Sequence, residues 1–211
     1  MPDTFVSIPF SKGSDNIMKL FYHPGACSLA VHIALIEAGM SFELVSINRD
    51  KRTADGRDLL TLNPYGFIPT LELDDGNVLG EALANLVYIA ENTGRLLPKS
   101  GLDRWRSIEA VSFMATELHG GFKPLWKRAP EAEQTAAKQL LTKRFAELAA
   151  RLGDKPFVTG GQISIADPYL FVMLRWARTY DIDVPKQFDA YFERMQERPS
   201  IQQALTEEGL A

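Results

Sequence analysis

A chain of 211 residues, 45% hydrophobic and 24% charged, has room for two small domains and for a core that needs no disulfide. Its single cysteine, Cys27, excludes an internal disulfide and fits a reducing, cytoplasmic setting. A formal net charge of -4 argues against a nucleic-acid grip, and three histidines (His23, His32, His119) with no zinc-like spacing argue against a metal site.

Residues 1–17, MPDTFVSIPFSKGSDNI, lack the basic and apolar regions of a secretory signal and are read as an N-terminal extension. No run of about 18 apolar residues could span a bilayer, so no membrane partner is expected. MKLFYH (18–23) reads as a strand. CSLAVHIALIEAG (27–39) has Leu29, Ile33 and Ile36 at helical spacing, with Gly39 as its C-cap. SFELVSIN (41–48) alternates as a second strand, and DGRDLLTLNP (55–64) is a short helix stopped by Pro64. IPTLEL (68–73) and VLG are two strands joined by a turn at Asp75-Gly76, and EALANLVYIAENTG (81–94) is an amphipathic helix. The order β-α-β-α-β-β-α is the thioredoxin-like arrangement.

After RLLPKSG (95–101), a linker rich in turn residues, no strand signal of any length follows. Residues 102–126 and 130–154 each read as one long helix. SIADPYLFVMLRWARTY (164–180) is apolar on nearly every side and is expected inside its domain. Its Arg175 must therefore find a partner. Ser164-x-x-Asp167 resembles a capping box with Asp in place of Glu. A last helix over 185–205 is broken at Pro199. The fold class expected is α/β plus all-α: a thioredoxin-like domain (18–94) followed by an all-helical domain (102–211).

MKLFYHPGACSLAVHIAL, NPYGFIPTLELDDG, LGEALANLVYIAE, ATELHGGFKPLW and SIADPYLFVMLRWA together resemble the bacterial cytosolic glutathione transferases, the beta class in particular. The resemblance runs from Met18 to the C-terminus and implies a homodimer. It also implies a glutathione site on the first domain and a pocket for small hydrophobic electrophiles between the domains.

Cys27 opens a helix, where the dipole and unpaired N–H groups favour thiolate. The alternative is a buried apolar cysteine. Resemblance places Cys27 against the glutathione sulfur, with Ser28 as another donor or else a helix-start residue satisfying backbone. Tyr22 is read as packing. Ile68-Pro69 favours trans from sequence alone, whereas the family motif implies cis and backbone capture of the cysteinyl moiety. Glu81 at a helix start suits the γ-glutamyl end of glutathione, or is simply an N-terminal helix charge. The family's Glu-Ser pair is Glu81-Ala82 here, which removes one hydroxyl and predicts weaker binding. Lys51 matches the family lysine for the glycine carboxylate, with Arg52 as close substitute.

Ser112, Thr116 and His119 share a helical face at i, i+4, i+7. The resemblance gives His119 to the thiol site, and Ser112 stands where close relatives carry Asn. Phe122, Leu125 and Trp126 are expected on the apolar wall, though Trp126 suits the core equally. The function expected is conjugation of glutathione to small apolar electrophiles. Glutathione-dependent disulfide reduction or peroxide reduction through Cys27 is one alternative, and a non-catalytic scaffold or hydrophobic-ligand carrier is the other.

Overall fold

The computed structural model describes residues 17–211. Apart from Ile17, the expected extension lies outside the described residues. Strand β1 (Met18–Tyr22) lies inside a four-stranded sheet of order β2-β1-β3-β4. β2 (Phe42–Ser46) runs parallel to β1, with Leu20 opposite Leu44. β3 (Thr70–Glu72) is antiparallel, with Leu20 opposite Leu71, and β4 (Val78–Leu79) closes the edge. Helix α1 (Ser28–Ala38) supplies the crossover between the parallel strands.

The period of two along β1 divides the packing. Leu20 and Tyr22 join the main core, which includes α1 and α3 (Ala82–Thr93), while Phe21 joins Val45, Ile47 and Leu59 on the other face. Leu59 belongs to α2 (Leu59–Leu62), shorter than the expected 55–64. Asp58 caps it by accepting the Leu60 N–H, and Asn48 and Thr53 hold the preceding residues as a hydrogen-bonded loop.

The helix expected over 102–126 is helical but not one helix. α4 (Leu102–Phe113) runs into a π-helical turn (Met114–His119), then a 3₁₀ turn (Gly120–Phe122), then α5 (Lys123–Trp126). Two local causes are on view. Pro124 cannot donate to a helical ladder, and a Cβ on Gly121 would stand 2.8 Å from Leu141 Cδ2 of α6 (Glu131–Leu152).

α7 (Ala166–Thr179) is buried over most of its length; α8 (Gln187–Gln196) packs on it, and α9 (Pro199–Glu207) follows, with Pro199 at its start. Asp167 is fully buried and accepts four hydrogen bonds, from Val158 N, Ser164 N, Ser164 Oγ and Tyr191 OH. The Ser164 N–H bond is the reciprocal half of the expected cap. Arg175 lies 6.0 Å over the Phe171 ring and feels the charge of Glu208.

One contiguous core joins the sheet's helices to the helical part. α9 packs on α1, where buried His32 meets Glu207 at 2.7 Å through Nε2 and Glu208 at 3.0 Å through Nδ1. Glu208 also accepts the Gly25 N–H at 2.9 Å, and the Trp176 indole donates to the Gly25 carbonyl at 2.8 Å.

Candidate active site

Those two bonds fix the turn that carries Cys27. Gly25 sits at φ 70°, a conformation glycine adopts without Cβ strain, and Cys27 follows as the residue before α1. The thiol is 7% exposed and donates to the Ile68 carbonyl at 3.3 Å. Burial pushes it up to about 12; the N–H groups of Cys27 and Ser28 pull the other way, and Glu81 adds to the rise. The thiolate expected from the helix N-terminus is therefore not the resting form. Removal from water outweighs the local dipoles.

Cys27 faces a cavity of about 670 Å³ between the sheet domain and the π turn. The Ile68–Pro69 peptide is cis, and both residues line the cavity. Asn63 steadies this loop by donating to Phe67 O and Thr70 Oγ. Glu81 and Ala82 line the wall at the start of α3, and Glu81 is held at φ 61°. A non-glycine residue in this conformation is strained, and such strain gathers at ligand sites. Lys51, also at φ 61°, sits just outside the lining, its ammonium 5.8 Å over the Phe67 ring. Arg52 is committed elsewhere, to Asp58 and the Gly56 carbonyl, whereas Lys51 makes no ion pair among the described residues.

Across the cavity stand Ala115, His119, Gly120, Lys123, Trp126 and Tyr169. His119 Nδ1 and the Tyr169 hydroxyl share a hydrogen bond of 2.9 Å. Burial lowers His119 from its ordinary range, so its ring is neutral near pH 7. Burial and the nearby Cys27 and Glu81 raise Tyr169, which keeps its proton. The edge of the imidazole rests against Trp126 and Trp176, with centroids at 5.2 and 5.1 Å.

Besides Lys51, five expected residues do not line the cavity. Ser28 is fully buried and turns toward the backbone of His23, 3.4 Å away. Ser112 and Thr116 are exposed, Thr116 donating to the Ser112 carbonyl. The π turn is wider than an α turn, so the i, i+4, i+7 face does not carry through to His119, and Ala115 takes the lining position. Phe122 and Leu125 are core residues, Phe122 packing on Trp126, Phe145, Trp176 and Tyr180. Tyr22 is packed in the sheet.

Sequence reasoning missed Tyr169 and Lys123. The signal for Tyr169 was available: a tyrosine in an otherwise apolar buried helix needs a partner for its hydroxyl. Among the described residues no group of three or more His, Cys, Asp or Glu could hold a metal.

Comparison with known proteins gives a consistent picture. Residues 25–92 match the glutathione S-transferase N-terminal domain family and residues 131–203 the C-terminal domain family. Glutathione S-transferase GstA of Escherichia coli O157:H7 is 41% identical over 200 residues, 92% of this chain and 100% of its own. A sphingomonad glutathione S-transferase complexed with glutathione superposes with a TM-score of 0.85 at 40% identity, covering 92% of this chain and 100% of its own. A beta-class enzyme of Sphingomonas chungbukensis gives 0.84 at 39% identity over the same shares, 92% and 100%. With relatives this similar across both halves, and with the cysteine turn and cis-proline loop meeting at one cavity, the chain belongs to the glutathione S-transferase family.

Proposed function

We propose that the cavity beside Cys27 binds glutathione and that the enzyme joins its sulfur to small apolar electrophiles. The observation that carries this is the convergence on one cavity of Cys27, the Ile68–Pro69 peptide, Glu81 and His119. In this reading Glu81 pairs with the γ-glutamyl amine, and the start of α3, with the Ala82 N–H, faces its carboxylate. The Ile68 backbone meets the cysteinyl moiety, and Lys51 meets the glycine carboxylate.

Glutathione releases its thiol proton to solvent. The thiolate then forms a carbon–sulfur bond while the leaving group departs with its electron pair. Cys27, neutral at pH 7, turns its S–H from the Ile68 carbonyl to that thiolate and acts as a donor rather than a second nucleophile. With the Tyr169 hydroxyl donating to Nδ1, neutral His119 offers its Nε2–H to the same sulfur. Holding both reactants in one cavity adds proximity. We also read the protein as a cytoplasmic homodimer; exposed Tyr65, Phe67, Leu102 and Trp105 are apolar surface that a second copy could cover. Among the described residues no helix is long and apolar enough to cross a membrane.

Calorimetry with glutathione, followed by turnover of 1-chloro-2,4-dinitrobenzene, tests the reading. Binding and turnover are expected in wild type, with turnover reduced in Cys27→Ala. Absence of binding at millimolar glutathione would overturn it in favour of a scaffold. A glutathionyl adduct on Cys27 after exposure to oxidised glutathione, with disulfide reduction faster than conjugation, would shift the assignment to thiol exchange.

A further inference from the structure

Building on the conjugation reading, we infer that the electrophile side of the cavity selects aromatic electrophiles carrying an anionic substituent, through Lys123. The cavity has apolar walls from Phe67, Leu83, Ala115 and Trp126, and its charged lining residues are Glu81 and Lys123. Glu81 stands at the start of α3, where the glutathione amine is assigned. Lys123 stands on the opposite wall, at the first residue of α5. Among the described residues its ammonium makes no ion pair and no hydrogen bond; Glu117, on the preceding turns, is taken by Arg144. A lysine left unpaired beside an apolar cavity is a ready counter-ion for a ligand.

The surroundings strengthen its field. Lys127 and Arg128 follow within the next turn, are exposed, and have no ion pair among the described residues. The carboxylates at the head of α6, Glu131 and Glu133, make no ion pair with them either. This local positive excess sits on a chain whose formal net charge is -4, so it does not follow from composition. Lys123 itself lines the cavity, and the positive charge that follows it in the chain adds to its attraction for anions.

The same segment supplies the aromatic surface. Trp126 lines the cavity and is braced from behind by Phe122, nearly parallel at 8° and 6.4 Å, and by Trp176 at 5.0 Å. A planar ring laid on Trp126 turns its substituents toward a cavity that Lys123 also lines. A neutral electrophile gains only the apolar wall. An anionic one would be repelled by Glu81 and the glutathione thiolate without Lys123 to offset them.

The test compares 4-chloro-3-nitrobenzoate with 4-chloro-3-nitrobenzamide, each kcat/KM normalised to its uncatalysed reaction with glutathione, with 1-chloro-2,4-dinitrobenzene as neutral reference. In wild type the normalised benzoate:benzamide ratio is expected above one. In Lys123→Met it is expected to fall about tenfold, a shift that a general loss of folding or activity does not produce. Lys123→Arg should restore it in part, and added salt should lower it in wild type but not in Lys123→Met. An equal ratio in wild type and Lys123→Met overturns the inference while turnover of the neutral reference leaves the conjugation reading standing. No turnover of any of the three by wild type overturns both.

Discussion

The two walls of the cavity are made of different material. The sheet-side wall is largely backbone: a cis peptide at Ile68–Pro69, a turn through Gly25, and a residue forced to φ 61° at Glu81. The helical wall is largely side chain: His119 and Lys123 on either side of an irregular turn, and Tyr169 reaching over from α7. In the proposed function, the backbone wall takes glutathione, the part shared by every turnover. Side-chain walls are free to vary with the partner. The difference teaches which half of a two-substrate site is encoded by local punctuation and which by distant packing.

The largest effect should come from removing what seats α7, and with it Tyr169. Asp167→Ala leaves four buried donors without their acceptor and is expected to cost about 3–5 kcal/mol, read as a lower urea midpoint with little change in m. If the loss is under about 1 kcal/mol, the helical wall does not depend on this cap. The next effect belongs to the backbone wall. Glu81→Gln removes one charge-assisted bond and should weaken glutathione binding by roughly ten- to hundredfold, or about 1.5–3 kcal/mol, by calorimetry. Unchanged affinity would mean that the strained residue at the head of α3 does not hold the amine.

The third is a pH effect. Cys27 is raised from 9.0 to about 12 in the folded protein, so between those values the native state keeps a proton that the unfolded chain has lost. Stability then falls as pH rises, by about 1 kcal/mol at roughly pH 10, and Cys27→Ala should flatten that slope. Thiolate absorbance near neutral pH in the ligand-free enzyme would contradict it. The smallest effect sharpens the helical wall. Tyr169→Phe removes one hydrogen bond to His119 and should lower kcat for 1-chloro-2,4-dinitrobenzene by about three- to tenfold, around 1 kcal/mol. Its KM for glutathione should stay near wild type, which separates orientation of the imidazole from binding.

The same contrast explains what the sequence made legible. Pro, Gly and a helix start mark where the sheet-side wall turns, but it is the family resemblance that gives Cys27, Ile68, Pro69 and Glu81 their roles; the residues alone favour a trans Ile68–Pro69 and leave Cys27 open. The helical wall rests on rotational register, which an assumed period of 3.6 carries forward as an error. The π turn at Met114–His119 breaks that period, so Ser112 and Thr116 were assigned to His119's face and emerge exposed. Phe122 and Leu125 were read as wall because they are apolar and near, but α6 and α7 cover them, and no short stretch reports what covers it. The choice between a thiolate and a buried apolar cysteine at Cys27 stays open in the sequence for a related reason. A helix N-terminus is visible in a string of letters, and the depth at which it is buried is not.

The clamp on Gly25 has a consequence in time. The N–H of Gly25 is held by Glu208, 183 residues further along the chain. At roughly 5–20 residues per second, a ribosome needs about 10–40 s to add that partner. The strands and α1 can form earlier, but the turn that presents the cysteine waits for Glu208. The turn before Cys27 is thus completed well after the cysteine itself is made, and a nascent chain carries an unclamped thiol through that interval.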